Sequence, residues 1–97
     1  MAVIEITTFD LVADADEAAF LVEDERVQTA FIPHRAGIIR RTTARAASGR
    51  WLVQAWWATD EDAAAAAAAA DASPITAGFR ALVDRASTST ERFTTLD

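Results

Sequence analysis

The chain has 97 residues with a formal net charge of −6, and 52% of its residues are hydrophobic. This length predicts one domain spanning residues 1–97, and the negative charge argues against nucleic acid as a partner. The chain contains no cysteine, which excludes disulfide bonds, and its single histidine argues against a transition-metal site built from protein ligands alone.

The sequence shows neither the pattern of a membrane anchor nor that of a secretion signal. Its longest apolar run, from Ala63 to Ala70, is eight residues long, whereas a membrane-spanning helix needs about 20. The opening residues MAVIEITTFD lack a basic segment followed by an apolar one. We therefore expect a cytoplasmic protein with no membrane partner.

The first third of the chain predicts a strand followed by a helix. Residues Val3–Val12 are rich in β-branched and apolar side chains with rough alternation, which is typical of a strand. Asp14 followed by Glu17 has the spacing of a capping box at a helix start. Apolar residues then recur at steps of three and four, which predicts a helix over Ala15–Phe31 that Pro33 terminates.

The middle of the chain and residues 87–96 predict three more strands. Residues 38–59 read as two strands joined by a turn at Ser48 and Gly49. The last segment, STSTERFTTL, has the β-branched composition of a strand. Adjacent strands joined by so short a turn are expected to pair antiparallel.

The segment between the third and fourth strands predicts a helix in two parts. Thr59 or Asp60 can cap its start, and a run of eight alanines has the highest intrinsic helix propensity. Ser73 and Pro74 have the residue types of a second helix start. The element order is therefore β-α-β-β-α-β, which predicts an α+β fold of the ferredoxin-like type, a four-stranded antiparallel sheet with helices on one face.

All three tryptophans lie in the third strand, and they point to a sheet that is covered on both faces. Alternation along a regular strand places Trp51 and Trp57 on one face and Leu52 and Trp56 on the other. The chain's own helices can cover only one of these faces. A bulge could instead turn Trp56 and Trp57 to the same side. We favour the regular strand, and we expect Trp56 and Leu52 to lie in a homodimer interface.

The sequence resembles the dimeric α+β barrel superfamily, and within it the antibiotic-biosynthesis-monooxygenase-like domains. The segments that carry the resemblance are VIEITTFDL, AFIPHRAGIIRR, WLVQAWWATDEDA and RFTTL. The resemblance implies that two ferredoxin-like subunits join their sheets into a barrel, with a small pocket between each sheet and its helices. For an enzyme of this kind it implies oxygenation with no metal or flavin cofactor. The sequence has neither the asparagine nor the tyrosine that such oxygenases use.

The resemblance and the chemistry of the side chains suggest three candidate catalytic residues. Trp57 matches the tryptophan that lines the pocket in the family, although an ordinary core role is the favoured alternative. His34 is a possible general base or a plain loop histidine. Arg41 is the candidate clamp for a carboxylate or enolate, and its neighbours Arg40 and Arg45 compete for that role. These arginines could equally pair with acids of the first helix such as Asp24.

The function that follows is the binding of a small aromatic or anionic molecule by a homodimer. Cofactor-independent oxygenation of an aromatic or polyketide-like substrate is the leading reaction. A ligand-binding or stress-related assembly domain without catalysis, and a polyketide-cyclase-like enzyme, are the alternatives, since fold alone does not choose among them.

Overall fold

The computed structural model describes all residues from 1 to 97 and contains one four-stranded antiparallel sheet with helices on one face. The sheet order is β2-β3-β1-β4. This arrangement confirms the predicted ferredoxin-like α+β fold. The strands are β1 (Val3–Phe9), β2 (Ile38–Arg45), β3 (Trp51–Trp57) and β4 (Ser89–Thr94), and the helices are α1 (Glu17–Arg26), α2 (Asp60–Ala72) and α3 (Ala77–Leu82).

The pairing of β1 with β3 is regular over its full length, from Val3 opposite Trp57 to Phe9 opposite Trp51. The only register shift in the sheet lies in β2, between Ile38 and Arg40. The third strand therefore alternates as predicted, and the bulge that would have turned Trp56 and Trp57 to one side does not occur in it.

Helix α1 begins two residues later than the capping-box prediction placed it. The N-cap is Asp16, whose side chain accepts a hydrogen bond of 3.0 Å from the backbone N–H of Ala18, so the assignment of Asp14 as the cap was wrong. After Arg26 the chain continues through a π-helical turn, Val27–Phe31, and a 3₁₀ turn that contains Pro33. The predicted end of the helical segment near Phe31 is confirmed.

Helix α2 begins as predicted, with the Thr59 hydroxyl accepting a hydrogen bond of 3.1 Å from the N–H of Asp62. The start of α3 differs from the prediction, because it begins at Ala77 and not at Pro74. The reason is the buried Thr76, whose hydroxyl donates to the backbone carbonyls of Ala70 and Ser73 and so closes the end of α2. None of the helices has both the length and the apolar content needed to cross a membrane.

The core between the sheet and the helices consists of three clusters. In the first, Phe20 of α1 packs against Trp51, with ring centroids 4.7 Å apart, and against Phe79 of α3 at 5.2 Å. In the second, alanines of α2 pack against Trp57 and its neighbours Val3 and Ala55. The third is formed by the turns that follow α1, within residues 27–32. The helices therefore cover the odd-numbered positions of β1 and β3.

The opposite face of the sheet has no helix over it. It carries the even-numbered residues of β1 and β3, so Trp56 is only partly covered, whereas Trp57 is 3% exposed. Phe93 of the edge strand β4 is 44% exposed. The apolar residues of this uncovered face are Ile4, Ile6, Leu52, Trp56 and Phe93. We call this set of residues the far face.

Candidate functional site

A cleft of about 930 Å³ lies between the sheet and the helices. It runs along the strand direction on the helix-covered side, from Trp57 near one end of the sheet to Phe9 and Val83 near the other. Its volume is at the upper end of the range of roughly 300–1,000 Å³ that is typical of small-molecule sites. Most of the lining is apolar, and β1 and β4 contribute the polar residues Glu5, Thr7, Thr90 and Arg92 to it.

The wall formed by α2 is made of alanine. Ala66, Ala67 and Ala70 line the cleft, and each contributes only a methyl group to it. A run of alanines keeps the helix intact through its intrinsic propensity while leaving space beside it. The space that larger side chains would occupy is therefore available to a ligand.

Trp57 lines the cleft, and it is the one aromatic residue of β3 that does. Its side chain packs against Val3, Ala55 and the buried Ala63 of α2. The indole Nε1 is buried, and no protein atom accepts a hydrogen bond from it. A buried donor without an acceptor costs about 1–3 kcal/mol, so an acceptor on a bound molecule would gain from reaching it.

The polar side of the cleft is built by the β1–β4 pair. Glu5 and Arg92 stand opposite each other and form an ion pair of 2.9 Å, and Asp60 lies 3.4 Å from the same guanidinium. The hydrogen bond that Arg92 donates to the Glu5 carboxylate is the main reason that the pKa of Arg92 is raised above its usual value, against a smaller lowering by desolvation. Two residues further along each strand, the hydroxyl oxygens of Thr7 and Thr90 are 3.1 Å apart.

Arg41 reaches the cleft from β2 and is buried, with 9% of the residue exposed. Its guanidinium donates to the Asp24 carboxylate at 2.9 Å and to the Gln28 amide oxygen at 3.1 Å, both on the α1 side. Thr43 donates to the same carboxylate at 2.9 Å. Asp24 therefore already neutralises the positive charge with which Arg41 would bind an anion. Pairing with an acid of the first helix was the alternative role considered for these arginines.

The other sequence-predicted candidates lie away from the cleft. Arg45 forms an exposed ion pair of 2.7 Å with Glu17, and Arg40 is exposed on β2. His34 is exposed and borders a separate, smaller pocket of about 260 Å³ together with Arg35 and Asp62. His34 does not line the cleft, and the catalytic role suggested for it stays a prediction.

Several cleft residues could not be singled out from the sequence. Glu5 and Arg92 become neighbours only through the pairing of β1 with β4, across 87 positions of chain. Phe79 and Arg85 enter the cleft from α3 and from the 3₁₀ turn Arg85–Ser87 that precedes β4. The alternation within β1 and β4 would have given their faces, but the register between the strands comes from the structure.

The chain holds no group of three or more His, Asp or Glu side chains placed to bind a metal ion. No protein-family model matches the sequence, and no curated protein sequence matches it. Solved structures do match, over nearly the whole chain and at low identity. The structure of SnoaB, a cofactor-independent oxygenase from Streptomyces nogalater, has a TM-score of 0.76 at 20% identity and covers 99% of this chain and 94% of its own.

Two further structures match at similar coverage. A candidate antibiotic biosynthesis monooxygenase from Bordetella bronchiseptica has a TM-score of 0.80 at 14% identity, over 98% of this chain and 97% of that one. Rv0793 from Mycobacterium tuberculosis has a TM-score of 0.71 at 18% identity, over 100% and 97%. The chain has the fold of the antibiotic-biosynthesis-monooxygenase-like proteins. The resemblance noted in the sequence is thus confirmed for the fold, and a shared fold leaves the reaction open.

Proposed function

We propose that this chain binds a flat aromatic molecule in the cleft and oxygenates it with O₂, without a metal or organic cofactor. The observation that carries the proposal is the cleft itself, which has a mostly apolar lining. Trp57 is part of that lining, and its indole N–H is buried without an acceptor. The similar fold of SnoaB, a cofactor-independent oxygenase, supports the choice of reaction. An open cleft of about 930 Å³ also favours ligand binding over a purely structural role.

The role proposed for Trp57 is to stabilise negative charge on the substrate. When a ring methylene of an aromatic ketone loses a proton, the charge spreads onto the carbonyl oxygen. An indole N–H that is already desolvated donates to such an oxygen without first giving up another partner. Preorganised donors of this kind stabilise charge that develops during a reaction, and the N–H of Trp57 is buried without a protein acceptor.

The proposed reaction converts a ring methylene to a carbonyl. The methylene C–H loses its proton to solvent in the open cleft, and the resulting carbanion transfers one electron to O₂. Superoxide and the carbon radical combine into a peroxide, which loses its second C–H proton and breaks the O–O bond to release water. The sum is R₂CH₂ + O₂ → R₂C=O + H₂O, in which the substrate supplies all four electrons. The protein contributes binding, orientation and charge stabilisation.

The test uses anthrone, a flat tricyclic ketone with one acidic ring methylene. We expect the protein to accelerate O₂ uptake and the appearance of anthraquinone in equal amounts. Ala70→Phe places a ring in the cleft and should abolish this acceleration, whereas Ala64→Phe, at an exposed position of the same helix that is absent from the lining, should not. Binding of anthrone without O₂ uptake would favour a ligand carrier over an enzyme.

We also propose that the far face packs against the far face of a second copy. Trp56, Ile4 and Phe93 of the far face stand side by side on three neighbouring strands, and the chain's own helices leave them uncovered. Contiguous apolar surface of this kind is typical of a protein interface. Each copy would keep its own cleft, because the cleft opens on the opposite side of the sheet.

A further inference from the structure

Four arginines line the cleft, and only some of them have an acid as partner. They are Arg41, Arg80, Arg85 and Arg92, and they stand beside the lining acids Glu5 and Asp71. Asp24 and Asp60 contact Arg41 and Arg92 from just outside the lining, so the charges balance in number. An anionic ligand would therefore be attracted by those arginines that have no acid partner of their own.

The four arginines differ in how far their charge is already compensated. Arg41 and Arg92 each form an ion pair with a carboxylate. Arg80 donates only to uncharged oxygens, the Thr76 hydroxyl at 3.2 Å and the Ser73 carbonyl at 3.1 Å. The guanidinium of Arg85 is exposed and takes part in no hydrogen bond or ion pair.

Arg85 lies at one end of the cleft, so its charge is located there. Arg85 precedes β4, and the same 3₁₀ turn is joined to the end of β1 by a hydrogen bond of 2.8 Å from the Asp10 N–H to the Ser87 hydroxyl. Trp57 pairs with Val3 at the other end of β1. These two ends are about 20 Å apart along an extended strand. The indole donor and the free guanidinium therefore mark opposite ends of the cleft.

We infer that the ligand is an aromatic anion whose carboxylate or similar group is held by Arg85, at the end of the cleft remote from Trp57. This inference rests on the proposed function, because it assigns the orientation of the molecule in the same cleft. Arg85, and not Arg41, is the anion-binding residue, since a guanidinium without a partner can offer its whole fork of donors to a carboxylate. The uncompensated charge of Arg80 adds to the field in the cleft.

The test uses two dyes that share one ring system. 8-Anilinonaphthalene-1-sulfonate is an anion, and N-phenyl-1-naphthylamine is the same molecule without the sulfonate. Dissociation constants are measured by fluorescence titration for the full chain and for Arg85→Gln. We expect the variant to bind the anionic dye about tenfold more weakly, which corresponds to the loss of a charged hydrogen bond, and to bind the neutral dye with unchanged affinity.

Two control variants locate the dyes and the charge effect. Arg26→Gln removes an exposed arginine that does not line the cleft, and it should leave both affinities unchanged. Ala70→Phe should weaken both dyes if they bind in the cleft. Sodium chloride at 0.5 M should narrow the difference between wild type and Arg85→Gln, because salt screens an exposed pair.

The outcomes separate this inference from the proposed function. If Arg85→Gln changes both affinities equally or neither of them, while Ala70→Phe weakens both, the cleft binds aromatics and the assignment of Arg85 is wrong. If Ala70→Phe leaves both dyes bound, they occupy another surface such as the far face, and both the cleft proposal and the Arg85 assignment fail.

Discussion

The indole N–H of Trp57 is a buried donor that no protein atom accepts from. A core tryptophan in an ordinary structural role normally finds an acceptor when it is buried. At the same position a phenylalanine would fill most of the same volume without the unsatisfied group. The presence of an indole beside a cleft of about 930 Å³ is therefore easier to explain by a bound acceptor than by packing.

The Trp57→Phe variant should lose affinity only for ligands that carry a hydrogen-bond acceptor. Anthraquinone-2-sulfonate and anthracene-2-sulfonate have similar flat ring systems, and only the first has carbonyl oxygens. We expect the variant to bind the quinone about fivefold more weakly, the effect of one ordinary hydrogen bond, and the anthracene with unchanged affinity. Isothermal titration calorimetry measures both.

An equal loss for the two ligands would contradict this expectation, because it would show that the ring of Trp57 contributes by contact alone. Thermal unfolding serves as the control for folding. The variant should unfold at a temperature close to that of the wild type, since it removes a polar group that has no partner and keeps an aromatic ring.

At the scale of elements, the buried Arg41 and the partly buried Asp24 join β2 to α1. Their side chains are 5% and 16% exposed, and the Gln28 amide and the Thr43 hydroxyl complete the network. A buried charge is tolerated only while its partner is in place, since removal of one partner leaves the other desolvated and uncompensated. This network fixes the helix against the edge strand and forms part of the cleft wall.

Asp24→Asn should destabilise the protein by about 3 kcal/mol, because the nearly isosteric amide leaves the Arg41 charge buried without a counter-charge. Glu17→Gln is the matched control: it breaks the exposed ion pair with Arg45 and should cost under about 1 kcal/mol. Urea unfolding of the variants and the wild type at one protein concentration measures both. Equal effects of the two substitutions would show that burial does not distinguish the two ion pairs.

The elements themselves follow closely from local sequence signals, and the exceptions have local physical causes. The strand pattern of Val3–Phe9 and the alanine run of α2 predict their elements because each signal repeats over many residues. The cap at Asp16 was missed because several acids precede α1 and any of them could cap it. The start of α3 was misplaced because Pro74 signals a helix start, whereas the Thr76 side chain bonds back to α2.

The cleft was less predictable than the elements around it. Trp57 could be placed on the helix-covered face by counting along β3 alone. Arg92 and Glu5 required the register of β4 against β1, and no pattern within either strand sets that register. Arg85 lies in a short 3₁₀ turn, where no period assigns a side chain to a face.

At the scale of the molecule, the sheet has one face covered by helices and one covered by nothing in the chain. Antiparallel sheets commonly leave one face to water, and that face is then polar. Here the uncovered face carries Ile4, Ile6, Leu52 and Trp56 beside polar residues such as Thr8 and Gln54, with Phe93 at 44% exposure on the edge strand. For a chain of 10.4 kDa, whose own core is small, burying this surface against a second copy would add substantially to stability.

Trp56→Asp should convert a dimer into a monomer, because it places a charge beside Ile4 among the apolar residues of the far face. Light scattering after size-exclusion chromatography should give the wild type twice the chain mass of 10.4 kDa and the variant that mass once. Val22→Asp, at a valine that is 60% exposed on α1, is the matched control and should stay dimeric. A monomeric wild type would contradict this expectation, and so would a dimer whose dissociation constant is unchanged by Trp56→Asp. Either result would mean that the far face is in contact with water or with a different partner. The cleft and its test with anthrone would be unaffected by either result, since they lie on the other side of the sheet.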